Sequence, residues 1–166
     1  MCRTQLGGPL LRAMTNWGME QIAIRRATAT DADETTAVFS AALKSMAFFP
    51  KLHTDREHRV FVCRFILEDE TWIALGDGRV IGLACIEGDR LAHLYVDPAH
   101  HNRGAGTALL YHVKVQRPNG FDLWTFQANT GARRFYERHG LTAIEFTDGS
   151  RNEEQLPDVR YAWSPD

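Results

Sequence analysis

The chain has 166 residues, of which 44% are hydrophobic and 24% are charged, with 13 glycines and 6 prolines. This length is typical of one globular domain, and the composition excludes a disordered or fibrous chain. The 19 basic and 21 acidic residues give a net charge of −2. That balance argues against a broad basic surface for nucleic acid.

The cysteines and the apolar runs exclude further classes of protein. No apolar run approaches the roughly 20 residues that a membrane-spanning helix needs, and residues 1–20 lack the apolar region of a signal peptide. Three cysteines without CxxC spacing indicate neither a disulfide framework nor a zinc site. We interpret residues 1–20 as a loose arm or an over-extended start. Residues 21–166 are expected to form a single cytoplasmic domain without a membrane or nucleic-acid partner.

The predicted elements begin with a short strand at 21–26, where Ile22 and Ile24 alternate with polar residues. Acids at 31–34 after a capping residue start a helix that runs to about residue 46, and Pro50 prevents its continuation. A second helix is predicted at 55–67, with Leu67 on its apolar side.

The middle of the chain changes to short apolar runs separated by glycine turns. These runs predict three antiparallel strands at 71–75, 79–86 and 90–96. A helix at 104–116, a strand at 121–126, a helix at 130–139 and strands at 141–146 and 159–163 follow. The order β-α-α-β-β-β-α-β-α-β-β predicts an α/β fold with a mixed sheet.

A glycine-rich segment, residues 103–108, lies between a predicted strand and a predicted helix. A helix N-terminus binds phosphate, small residues let a pyrophosphate approach the amides, and Arg103 adds a cation. An ordinary strand-to-helix turn fits these residues as well. A dinucleotide motif is excluded because Leu109 stands where GxGxxG needs glycine, and a P-loop is excluded because no Gly-Lys pair occurs.

Two blocks of the sequence resemble the GNAT superfamily of N-acetyltransferases. Residues 94–98 (Leu-Tyr-Val-Asp-Pro) and the segment after them are similar to its acyl-CoA signature, Gln/Arg-x-x-Gly-x-Gly/Ala, with Arg103, Gly106 and Ala108 at the defined positions. Residues 129–141 resemble Asn-x-x-Ala-x-x-Phe-Tyr-x-x-x-Gly-Phe, with Leu141 in place of the final aromatic residue. The resemblance covers about residues 21–147. It implies a mostly antiparallel, twisted sheet flanked by helices.

The resemblance also implies a site for acetyl-CoA as co-substrate. Strand backbone at 94–96 would pair with the pantetheine arm as an added strand, and amides at 103–107 would hold the pyrophosphate. Asn129 would meet the end of the pantetheine, and Tyr136 would donate a proton to the departing thiolate. From the residues alone, Asn129 is also a natural helix N-cap, and Tyr136 lies on a helix face that is more often core. The implied cofactor-binding residues are Leu94, Tyr95, Val96, Arg103, Gly104, Ala105, Gly106, Thr107, Ala108, Asn129 and Tyr136.

An amine acceptor must lose a proton, and two residues are candidate bases. Glu87 ends a predicted strand and could accept the proton through water, and the ordinary pKa of His93 is near neutrality. The pattern fits an exposed turn acid at Glu87 and a core histidine at His93 equally well. We expect His93 on one strand face with Leu91 and Tyr95. The adjacent histidines at 100–101 lack further ligand residues, so no metal is expected.

The acceptor, a small-molecule or peptide amine, is expected opposite the pantetheine. Phe49 could line its pocket or belong to a buried turn between helices. The acids Glu153, Glu154 and Asp158 could attract a cationic amine or form a solvated face. The predicted function is direct acetyl transfer from acetyl-CoA to an amine, and the alternative is a module that senses acyl-CoA without turnover. A homodimer is implied by the resemblance alone.

Overall fold

The computed structural model of the chain describes residues 21–166, and the arm predicted at 1–20 lies outside the described residues. The strands are β1 (Ile22–Arg26), β2 (Glu70–Gly76), β3 (Arg79–Glu87), β4 (Arg90–Val96), β5 (Phe121–Phe126), β6 (Thr142–Phe146) and β7 (Asp158–Trp163). The helices are α1 (Ala32–Ser45), α2 (Asp55–Glu68), α3 (Ala105–Gln116) and α4 (Thr130–Arg138). The predicted order of elements is confirmed, and most ends differ by one or two residues.

The strands form one seven-stranded sheet in the order β1-β2-β3-β4-β5-β7-β6. Every neighbouring pair is antiparallel except β4 and β5, which are parallel. The register of β4 with β5 contains a single position, Arg90 opposite Asp122. Because only the first residues of the two strands pair, their C-terminal ends separate and open a cleft within the sheet.

Helices cover both faces of the sheet. On one face, Leu109 of α3 and Tyr136 of α4 belong to a large buried cluster, and on the other face Phe39 of α1 and Phe65 of α2 belong to a second cluster. Residues 80–86 of β3 are all buried, because helices cover both faces of this strand. This burial explains why the strand is a nearly continuous apolar run in the sequence. Among residues 21–166, no helix is both long and apolar enough to cross a membrane.

The predicted apolar side of α2 is wrong at its C-terminal end. Leu67 is 75% exposed, whereas the buried residues are His58, Val62 and Phe65. These three positions follow the i, i+4, i+7 spacing of one helix face, and residue 67 falls on a different face.

A bulge between β3 and β4 changes which side chains share a face. The register pairs His93 with Cys85 but Leu91 with Ile86, so that Ala92 is an extra residue in β4. Leu91 therefore joins the cluster under α3, whereas the ring of His93 stacks on an aromatic ring of α2 with centroids 4.2 Å apart. The predicted common face of His93 and Leu91 is wrong for this reason.

Asp31 joins the first strand to the start of α1. Its carboxylate accepts hydrogen bonds from Nη1 and Nη2 of Arg25, each at 2.8 Å, and from the backbone N–H of Thr28 at 2.8 Å. The Arg25 hydrogen bonds, followed by those of Thr28, outweigh burial and lower the pKa of Asp31 to about 2.

We expect Asp31→Asn to reduce the free energy of unfolding at pH 7 by about 1–2 kcal/mol, since solvent partly screens the half-exposed Arg25. The pKa is lower in the folded than in the unfolded chain, so this contribution is present above about pH 4 and is lost as the pH falls toward 2. Urea unfolding at pH 7 and pH 3 measures the effect, and the difference from wild type should be about half as large at pH 3.

Asp33→Asn is the control, because Asp33 also pairs with an arginine, at 2.9 Å, but its side chain is 81% exposed. Its unfolding should match wild type at both pH values. If the free energies of unfolding of Asp31→Asn and wild type differ by the same amount at both pH values, the lowered pKa assigned to Asp31 is contradicted.

Candidate active site

A cleft of about 690 Å³ lies where β4 and β5 separate. Its lining includes both strands, the N-terminal turn of α3, one side of α4 along its length, and the end of α1. The sequence-predicted residues that line it are His93, Leu94, Tyr95, Val96, Gly104, Ala105, Gly106, Thr107, Asn129 and Tyr136. The other predicted site residues lie outside this lining and are Glu87, Phe49, Arg103, Ala108, Glu153, Glu154 and Asp158. The fold thus brings the two sequence blocks together around one space.

The backbone of β4 forms one wall of the cleft. The N–H of Asp97 donates to the carbonyl of Ile81 at 2.8 Å. In an antiparallel pair, every second residue from this position directs its backbone N–H and C=O toward the partner strand. The backbone groups of Tyr95 consequently face β3, whereas those of Leu94 and Val96 face the cleft. The structure differs here from the implied pairing at 94–96, because Tyr95 offers the cleft its ring and not its amide.

The N-terminus of α3 lies at the wide end of the cleft. Gly104 precedes the helix with a φ of +94°, a backbone conformation that favours glycine. A Cβ on Gly106 would lie 3.4 Å from Cζ of Phe135 and 3.7 Å from Cγ2 of Val96. A larger side chain would crowd these neighbours, so glycine keeps the approach to the helix amides open.

Tyr136 is 7% exposed and lies on the face of α4 that lines the cleft. Burial, with a smaller effect of nearby Tyr95, raises the pKa of Tyr136 above its ordinary value. No hydrogen bond within residues 21–166 engages its hydroxyl. The side chain is therefore protonated at neutral pH and able to donate toward the cleft.

Asn129 caps α4 and lines the cleft at the same time. Its Oδ1 accepts from the N–H of Ala132 at 3.2 Å, and its Nδ2 lies 3.6 Å from Sδ of Met46. The two interpretations of Asn129, a helix cap and a cleft residue, are therefore compatible.

His93 and Tyr95 lie on the opposite side of β4 from α3, toward α1 and α2. Burial, together with Arg64, lowers the pKa of His93 to about 4. Burial and the charge of Glu154 raise the pKa of Tyr95 to about 12. Both side chains are uncharged at neutral pH, and an uncharged His93 can accept a proton only as a weak base.

Glu87 lies apart from the cleft, exposed at the end of β3. Its carboxylate, the carboxylate of Asp69 and the thiol of Cys85 lie within 4.8 Å of one another, which is a spacing that could hold a metal ion. Burial raises the pKa of the Cys85 thiol to about 12, and the retained proton disfavours the thiolate form that binds metals.

The connection between α1 and α2 reaches across to the C-terminal half of the sheet. The rings of Phe48 and Phe49 pack edge-on against Phe126 at the end of β5, with centroids 5.9 Å and 5.7 Å apart. Nε2 of His53 lies 2.9 Å from Oε1 of Glu153 in the β6–β7 loop. These contacts enclose the side of the cleft on which His93 and Tyr95 lie.

The three predicted acids of the β6–β7 region have different surroundings. Asp158 accepts hydrogen bonds from Oγ1 of Thr147 and from Nδ2 of Asn152, so it holds the loop in shape. Glu153 contacts His53 as described. Within residues 21–166, Glu154 has no hydrogen bond or ion pair, and its charge acts on Tyr95.

Sequence reasoning missed several residues that line the cleft, including Met46, Trp124, Phe126 and Arg138. Trp124 and Phe126 alternate along β5 and mark one face of that strand, which is a signal in the sequence. Nothing in the sequence indicates that this face lines a cleft, because that follows from the separation of β4 and β5.

Residues 68–142 match the family described as the acetyltransferase (GNAT) domain. The chain is 30% identical over 100 residues to the peptidyl-lysine N-acetyltransferase YiaC of Escherichia coli (strain K12). That match covers 60% of this chain, and the chain spans 66% of the length of YiaC.

Two solved structures show the same fold. The GCN5-related N-acetyltransferase from Rhodopseudomonas palustris has a TM-score of 0.75 at 21% identity, covering 91% of this chain and 100% of the other. YncA from Salmonella typhimurium, determined with acetyl-CoA, has a TM-score of 0.65 at 19% identity, covering 87% of this chain and 94% of the other. The sequence blocks and the family match show that the chain carries an acetyltransferase domain of the GNAT family, and the solved structures show that its fold is shared.

Proposed function

We propose that this protein transfers an acetyl group from acetyl-CoA directly to an amine. The observation that carries the proposal is the cleft between β4 and β5, which combines an unpaired strand edge, a helix N-terminus with small residues and a buried tyrosine. The activity of YiaC, a peptidyl-lysine N-acetyltransferase, and the acetyl-CoA in the YncA structure support the choice of reaction and co-substrate.

Acetyl-CoA would bind with its pantetheine arm along β4. Leu94 and Val96 offer backbone donors and acceptors to the arm, as a strand does to its neighbour. The carbonyl of Val96 already accepts from Nε2 of His101 at 3.1 Å, and its second lone pair leaves room for another donor. The amides at 103–107, with the guanidinium of Arg103, would hold the pyrophosphate, and the small side chain of Ala108 belongs to the same helix turn.

Tyr136 would act as the general acid. When the amine attacks the thioester carbonyl, a tetrahedral intermediate forms, and a backbone N–H of β4 stabilises its oxyanion. Collapse of the intermediate breaks the C–S bond, and the proton of the Tyr136 hydroxyl moves to the CoA sulfur. The raised pKa keeps the hydroxyl protonated until the C–S bond breaks, and the phenolate then regains a proton from solvent as CoA leaves.

The amine would lose its proton on the side of β4 that carries His93. We assign no step to Glu87, because it lies outside the cleft lining. His93 accepts the proton transiently as the amine attacks and passes it to solvent, as its low pKa requires.

The acceptor would enter beside the α1–α2 connection, with Phe49 and Phe126 forming an aromatic boundary. Among the three acids Glu153, Glu154 and Asp158, Glu154 is the best candidate to attract a cationic amine, because Glu153 and Asp158 already have polar partners. The proposed acceptor is a small-molecule amine or a peptide amine.

Tyr136→Phe should bind acetyl-CoA as wild type does but release thiol about a hundredfold more slowly, since it lacks only the donated proton. Thiol release with acetyl-CoA across a panel of small amines and lysine peptides measures turnover, and calorimetry measures binding. Wild-type turnover by the variant would contradict the assigned acid. A wild-type protein that binds acetyl-CoA but releases no thiol across the panel would favour the sensing module.

Glu154→Gln should raise the KM for the best amine of that panel about fivefold, because a partly exposed charge contributes modestly to binding. The KM for acetyl-CoA should not change. Asp148→Asn removes the same charge from the same loop and serves as the control, since Asp148 is exposed and bonds to the amide of Ser150 at 2.9 Å. An equal change in both variants would indicate a general effect of loop charge and would contradict a specific role of Glu154.

A further inference from the structure

One carboxylate joins three strands at the closed end of the cleft. Asp122 of β5 accepts from Nε and Nη2 of Arg90 in β4, at 2.9 Å and 3.2 Å. The same carboxylate accepts from Nε and Nη2 of Arg160 in β7, the former at 2.7 Å. The backbone N–H of Asp122 also donates to the carbonyl of Asp89 at 3.1 Å. We call this group of side chains, Arg90, Asp122 and Arg160, the apex clamp.

The apex clamp lies at the only register position that β4 and β5 share within residues 21–166. The next residues along both strands, Leu91 and Ala92 on β4 and Leu123 and Trp124 on β5, line the cleft. Neither Arg90 nor Asp122 belongs to that lining. The clamp is therefore the point from which the two walls diverge, and it is separate from the binding surface itself.

The carboxylate of Asp122 is the negative charge that lies between the two guanidinium groups of the apex clamp. The Asp122 side chain is 14% exposed, and the hydrogen bonds from Arg90 and Arg160 lower its pKa despite burial. Removal of this charge would leave the guanidinium of Arg90 beside that of Arg160, whose remaining acidic neighbour is Glu145 at 3.7 Å. Within residues 21–166 the ladder between β4 and β5 has no further register position that would hold the original separation.

We infer that Asp122 is a positioning residue for the co-substrate: it fixes the angle between β4 and β5 and thereby the width of the cleft that receives the pantetheine arm. This inference rests on the proposed function. A pantetheine arm that pairs with β4 must also fit against β5, so a shift of β5 by a fraction of an ångström weakens binding. Asp122 touches no reacting atom in this arrangement and acts through the strands that it joins.

Asp122→Asn tests the inference, with Asp31→Asn as the matched control. Both substitutions remove one mostly buried carboxylate that accepts bidentate hydrogen bonds from arginine, Asp122 from two arginines and Asp31 from one. Asp31 lies before α1 and outside the cleft lining. Calorimetry with acetyl-CoA, urea unfolding, and separate KM values for acetyl-CoA and for the amine should be measured for both variants.

We expect Asp122→Asn to raise the Kd and the KM for acetyl-CoA about tenfold, with a smaller change in the KM for the amine. Asp31→Asn should lose stability but keep the wild-type Kd. Wild-type affinity in Asp122→Asn, or an equal loss of affinity in Asp31→Asn, would overturn the inference. If Asp122→Asn does not fold, Arg90→Gln keeps the carboxylate and must show the same weakening of acetyl-CoA binding.

The same measurements separate this inference from the proposed function. If the wild-type protein does not bind acetyl-CoA, the proposed function fails. If the wild type binds and turns over acetyl-CoA while Asp122→Asn does so equally well, only the role of the clamp fails.

Discussion

Parallel pairing between β4 and β5 ends after one register position, and the rest of the site depends on this interruption. A continued ladder would use the backbone groups of Leu94 and Val96 inside the sheet. The interruption instead leaves them facing a cleft in the middle of the domain, between a helix layer on each face. α3 is the next α-helix after β4, and its N-terminus meets the wide end of the same cleft. One break in a ladder thus places an open strand edge and a helix N-terminus at the same cleft.

Burial sets the charge of the groups that surround the proposed reaction. It lowers the pKa of His93 and raises the pKa values of Tyr95 and Tyr136, so all three are neutral at physiological pH. An environment that disfavours charged side chains also disfavours an ammonium ion. The cleft would therefore favour the neutral form of an acceptor that arrives as a cation near Glu154, and the neutral amine is the form that attacks a thioester.

The order of elements and the cleft-facing segments could be predicted because their signals are local. Alternation marks β1, glycine turns separate β2 to β4, and the motif around Gly106 combines a conformational and a steric requirement. Longer-range features could not be predicted. The extra residue at Ala92 moves Leu91 and His93 to different faces, and such a bulge has no clear sequence signature. The partners of the C-terminal acids depend on contacts such as that between His53 and Glu153, which are 100 residues apart.

Amide hydrogen exchange at β4, measured by NMR without and with saturating acetyl-CoA, tests the central claim most directly. The N–H groups of Leu94 and Val96 face the cleft, so their exchange should slow when the pantetheine arm pairs with them. The N–H of Tyr95 already faces β3 and should change little, which makes it an internal control. Slower exchange at Leu94 and Val96 alone is the predicted result, and unchanged exchange at both residues in the saturated protein would contradict the claim.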